Sequence, residues 1–251
     1  MNTRFVLLAT VMAFTGSGCY GDEETKFLFN PEQRAFADAV AAGNEGQLEK
    51  LALNGADVNS KGNAGMTYVY WAVWKRSKQG LTYLLAHGAD PNVVMDPERL
   101  PIVPFPEILE GTSPVSLAAK LQDSWYLKAL TEHGANINLR NPVSGHIPVW
   151  EALASGRPDN VRYLISLGAD LNVVDANGFT VLAAAIGNQK FDLAYDLLVG
   201  GADPKIAIAR NGTTILTLLR NIPIPDQPQL GWREKVIARL GQQGLDVTNG
   251  R

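Results

Sequence analysis

One cysteine, Cys19, stands among 251 residues, so no internal disulfide can form and the fold must rest on packing alone. Three histidines and a lone thiol are too few for a Cys-based zinc spacing, and the chain holds no His-Glu-x-x-His, no Gly-x-Ser-x-Gly elbow and no phosphate-cradling glycine loop. Catalytic residues, metal ligands and cofactors are therefore assigned to none of its positions. Lys and Arg total 22 against 25 Asp and Glu, a net charge of -3 without any basic run, which gives no cationic field for nucleic acid. The apolar run at residues 5–14 is too short to span a bilayer as a helix, and no second hydrophobic stretch follows it.

What is present is periodic. Gly55-Ala56-Asp57-Val58-Asn59 returns as Gly88-Ala89-Asp90-Pro91-Asn92, Gly134-Ala135-Asn136-Ile137-Asn138, Gly168-Ala169-Asp170-Leu171-Asn172, Gly201-Ala202-Asp203-Pro204-Lys205 and Gly244-Leu245-Asp246-Val247-Thr248. The intervals are 33, 46, 34, 33 and 43 residues, one period with two insertions. A second motif precedes four of these tags by 21 residues: Thr67 to Ala72, Ser113 to Ala118, Ile147 to Ala152 and Thr180 to Ala185. A weaker copy, Thr214 to Leu219, lies 30 residues before the last tag. Together these resemble the ankyrin repeat family, whose pattern is Thr-Pro-Leu-His-x-Ala, a helix, then Gly-Ala-Asp-x-Asn. The resemblance covers residues 31–249, with Phe36 and Ala39 at the Leu and Ala positions of a divergent first repeat. It implies an all-α solenoid of about six helix-turn-helix repeats with β-hairpin-like loops, with a domain over residues 30–249.

Local chemistry agrees. In the fourth repeat Val149, Ala152, Leu153, Val161, Leu164 and Ile165 recur at helical spacing on two short helices, with Gly156-Arg157-Pro158 turning the chain between them. Each tag glycine falls where a left-handed residue closes the second helix. Asn30, Pro31 and Gln33 read as an N-cap, a first-turn proline and a capping-box partner, so the array is expected to begin there. The tag Asp and Asn residues recur with the period, and hairpin hydrogen bonding accounts for them better than calcium ligation. His87 and His133 share a repeat position, while His146 stands at a hairpin.

The first 18 residues read as a signal peptide: Arg4, the apolar run, then Thr15-Gly16-Ser17-Gly18 before Cys19. Gly-Ser-Gly-Cys resembles the lipobox of bacterial lipoproteins, with Gly16 where Leu is usual; simple signal cleavage and a buried cytosolic cysteine remain the alternatives. The lipoprotein resemblance implies acylation of Cys19, a tether over residues 19–29 and, with Tyr20 next, anchoring at the periplasmic face of the outer membrane.

Two proline-rich insertions, residues 95–110 and 222–231, hold seven of the fourteen prolines. The first, with Pro104, Phe105 and Pro106, either presents a stiff edge to a partner or folds back on the stack. The family resemblance further implies that Trp71, Trp74, Lys75, Leu117, Lys120, Glu151 and Ser155 line a concave binding face. Trp71 and Trp74 are expected either to anchor a partner or to pack internally. Signal, lipobox and repeats together are similar to exported bacterial ankyrin proteins that include phospholipase-accessory proteins and lipoproteins giving immunity to type VI lipase effectors. That resemblance implies a non-catalytic protein that covers the active site of a secreted phospholipase. A general envelope scaffold or stress-protection protein is the alternative, and an effector exported to a host cell a third.

Overall fold

The computed structural model describes residues 21–95, 112–206, 208, 213–223 and 225–245. Six helical hairpins follow one another: α2 (Pro31–Ala42) with α3 (Glu45–Leu53), α4 (Tyr68–Trp74) with α5 (Lys78–Ala86), α6 (Pro114–Lys120) with α7 (Trp125–Glu132), α8 (Pro148–Ala154) with α9 (Pro158–Ser166), α10 (Val181–Gly187) with α11 (Phe191–Val199), and α12 (Ile215–Asn221) with α13 (Gln229–Gln242). They are preceded by α1 (Gly21–Leu28). The first helices pack on one another in succession from α2 to α12 and form the inner row; the second helices form the outer row. One apolar core runs through the stack, from Phe36 and Val40 to Val236 and Leu240. No hairpin could bury its own apolar stripe, so stability is a property of neighbours.

The repeated motif explains each inner helix. Thr67, Ser113, Thr180 and Thr214 are N-caps whose hydroxyls accept from the backbone N–H three residues on. Ile147 supplies no such bond, and there Pro148 begins α8, removing one of the donors that would need it. Asn30 and Gln33 form the expected capping box at α2. The six tag glycines have φ between 78° and 102°, the left-handed geometry that terminates each outer helix without a Cβ clash.

The tags also join the repeats. Asn59 Nδ2 donates to Gly88 O at 3.2 Å while its Oδ1 accepts from Asp90 N at 2.8 Å. Asn92 does the same with Gly134 O and Asn136 N, at 3.1 and 2.7 Å. Asn138 accepts from Asp170 N and Asn172 from Asp203 N, each at 2.8 Å. Within each of the five tags that lie wholly among the described residues, the Asp or Asn at the third position accepts from the N–H of the fifth. The ladder stops at Lys205, whose side chain cannot accept.

The second insertion takes over at that point. Outer helix α11 begins after Lys190, which offers no cap, and Gln229 Oε1 at the start of α13 accepts from Phe191 N at 2.8 Å. Gln229 Nε2 donates to Asp192 Oδ1 at 3.2 Å. Residues 222–231 thus deliver a cap to the preceding repeat. One sequence expectation is corrected here: Gly21 to Phe29 is no tether. Residues 21–28 are helical and Leu28 and Phe29 are wholly buried against the first two repeats. The proposed signal segment, Cys19 and most of the first insertion, with Pro104, Phe105 and Pro106, lie outside the described residues.

Asn92→Ala removes two hydrogen bonds between repeats and is expected to cost about 1–3 kcal/mol of stability. Gln229→Ala should cost about 1 kcal/mol, the value of a lost helix cap. Chemical denaturation of the two variants beside the parent chain measures both.

Candidate protein-binding face

The inner helices and the loops that lead into them make a continuous surface, and three of those loops close as narrow fingers through the bridges Lys61 with Thr67, Val174 with Thr180 and Ile208 with Thr213. A fourth finger is closed by Asn141 N to His146 O at 2.8 Å. The fingers that lead into the fourth and fifth hairpins, closed by Asn141 with His146 and by Val174 with Thr180 and called fingers 4 and 5, are tied together: Ala176 N donates to Ser144 O at 2.8 Å and Arg140 Nη2 to Val174 O at 2.6 Å. Their tips expose Val143 and Phe179, at 55% and 37%. Both apolar groups are held out by side-chain-stiffened turns, Asn141 Oδ1 accepting from Val143 N and Asp175 Oδ1 from Phe179 N.

Several residues expected on the binding face are committed elsewhere. Trp71 is wholly buried: its Nε1 donates to Ala37 O at 2.9 Å, and Phe29 meets its ring edge-on at 5.6 Å. It is a core residue, and its placement on an open face is corrected. Trp74, three residues on, is only partly buried, so the two rings do not form one anchor. Lys75 closes α4 and pairs with Glu24 of α1 at 2.6 Å. Leu117 is buried at 7% exposure and belongs to the core as well. Ser155 is half-buried at the end of α8.

Glu151 and Lys120 satisfy each other instead of awaiting a partner. Lys120 Nζ lies 3.0 Å from Glu151 Oε2, and His146 Nδ1 lies 3.2 Å from Oε1. An ionised carboxylate only accepts, so Nδ1 carries the proton in this bond. The imidazole stacks on Trp150, rings 4.8 Å apart and 4° from parallel, with Nε2 3.9 Å from Asp175 Oδ2. Sequence reasoning noted His146 without a role; the structure makes it the link between α8 and fingers 4 and 5. The signal was available only in part, as a histidine and a glutamate on either side of a helix start.

Burial pushes the Glu151 carboxyl up, but hydrogen bonds from His146 and Lys120, with the charge of Lys120, outweigh it and hold the group below its ordinary 4.5. A carboxylate with a lowered folded pKa adds stability that is complete above the unfolded value and is lost as pH falls through the folded one. Glu151→Ala should therefore lower the melting temperature at pH 7, and the gap to the parent should close as pH falls below 4.5. Melting curves across that range test the sign. Trp71→Ala should cost about 3–5 kcal/mol as a core deletion, whereas Trp74→Ala, which removes a ring only partly buried against the core, should cost less.

Among the described residues no group of three or more His, Cys, Asp or Glu side chains is placed to hold a metal ion, and no helix is long and apolar enough to cross a membrane.

Comparison with known proteins gives concordant matches. Residues 115–208 fit the family model described as ankyrin repeats (3 copies). Protein PhlB of Serratia liquefaciens is 33% identical over 151 residues, 60% of each chain. Ankyrin repeat and SOCS box protein 6 of Homo sapiens is 29% identical over 59% of this chain and 35% of its own length. The human mitochondrial disaggregase is 28% identical over 68% of this chain but only 22% of itself. The chain thus spans less than two thirds of the length of each of these relatives. An all-α ankyrin repeat solenoid is the fold that these matches and the helical stack jointly describe, and arrays of this kind mediate protein–protein interaction.

Proposed function

We propose that this chain, built of ankyrin repeats, is a non-catalytic envelope protein that binds a secreted phospholipase effector and blocks its active site, as an immunity protein does. The leader-like residues 1–18 and Cys19 support export and attachment by acylation, with the array facing the periplasm. Similarity to PhlB, a bacterial protein, supports a bacterial setting for this domain.

The observation that carries the reading is the pair of coupled fingers. A rigid stack holds Val143 and Phe179 outward on neighbouring turns, while the charged side chains behind them are already paired. Apolar groups that cost little conformational freedom to bury make good anchors in a protein interface. A phospholipase whose substrate entry is itself apolar would bury them and lose access to lipid.

The test is a mixture of the purified chain with the product of the neighbouring gene, assayed for lipid hydrolysis. A stoichiometric complex with inhibited lipid hydrolysis is expected, and Val143→Ala with Phe179→Ala should weaken it at least 10-fold, about 1.4 kcal/mol or more, without moving the melting temperature. Absence of a complex, together with many weak envelope partners in a pull-down, would instead favour the scaffold reading.

A further inference from the structure

Helix α1 lies on the inner face at the first two repeats, yet the array does not need it in order to start. Asn30 Oδ1 accepts from Gln33 N at 3.0 Å, Gln33 Oε1 accepts from Asn30 N at 3.3 Å, and Pro31 fills the first helical position. Inner helix α2 is thus closed at its own N-terminus, and what precedes Asn30 is an addition to a finished edge.

The addition is held as a bound peptide is held. Array side chains reach for carbonyls at its C-terminal end, where a helix leaves acceptors unused: Arg34 Nε donates to Phe29 O at 3.2 Å, Arg34 Nη2 to Lys26 O at 3.0 Å, and Asn63 Nδ2 to Phe27 O. Lys75 takes the carboxylate of Glu24 at 2.6 Å. One turn further on, Leu28 and Phe29 are wholly buried, Phe29 stacked on Tyr68 at 5.2 Å and edge-on to Trp71. The seat is close-fitting, since a Cβ on Gly62 would come within 2.3 Å of Leu28 O and 2.9 Å of the Phe29 ring.

We propose that α1 is a detachable strap, a ligand supplied in cis that closes the N-terminal part of the inner face. Its release bares Tyr68, the edge of Trp71 and the Lys75 ammonium. The seat then fits a protein segment of the same chemistry: an acidic side chain one helical turn before an apolar and aromatic pair. This holds whichever protein the fingers bind, so it stands apart from the phospholipase reading.

Gly62→Ala in the full chain is the direct probe, because Gly62 has φ -78°, ordinary for alanine, and the three atoms nearest the added methyl all belong to the strap. Hydrogen exchange should show the amides of α1 and Phe29 losing protection at least 10-fold, with α2 and α4 unchanged. In a second measurement, a labelled peptide of residues 21–30 is titrated into full-length Phe29→Ala, whose own strap is weakened. It should bind saturably and at least 10-fold more tightly than to the parent chain, and Lys75→Ala should reduce that binding. Joint loss of protection in α1, α2 and α4, or no saturable peptide binding to the folded Phe29→Ala chain, would overturn the proposal.

Discussion

At four successive tags in this chain a backbone N–H is satisfied by the asparagine of the preceding repeat. Asn59 and Asn92 also donate to a carbonyl across the same junction, and Asn138 and Asn172 supply the acceptor half at the next two. A short polar side chain that both donates and accepts is required there, which is why the last letter of the tag recurs with the period. The ladder fixes the offset between hairpins, and that offset brings inner helix onto inner helix and makes the core continuous. Where Lys205 breaks it, Gln229 supplies a different bond, from helix to helix start.

Much of this was legible in the sequence because it is local. The cap residues Thr67, Ser113, Thr180 and Thr214, the capping box at Asn30 and the left-handed glycines all act within a few residues of themselves, so spacing is enough to place them. The repeat number and the two interruptions follow from the same arithmetic.

What escaped was contact at long range. The capping box at Asn30 marked a real helix start, and for that reason residues 19–29 were read as a tether; nothing local says that Phe29 finds Tyr68 and Trp71. Placing Trp71 on an exposed face failed for the same reason, since position in a repeat gives the direction of a side chain and not what covers it. Glu151 and Lys120 sit one repeat apart and looked like two offers to a partner, whereas they are each other's counter-charge. The effect of these pairings is to move the uncommitted surface away from the inner helices and toward the finger tips.

The interrupted ladder gives the molecule a mechanical polarity. Under tension applied at both ends, junctions that share an asparagine clasp carry load through backbone groups on either side, while the last hairpin hangs on its apolar contacts and the glutamine of α13. The stack is therefore clasped differently at one terminus, where packing of α13 on α11 takes over from backbone groups, while the fingers in its middle keep the asparagine clasp.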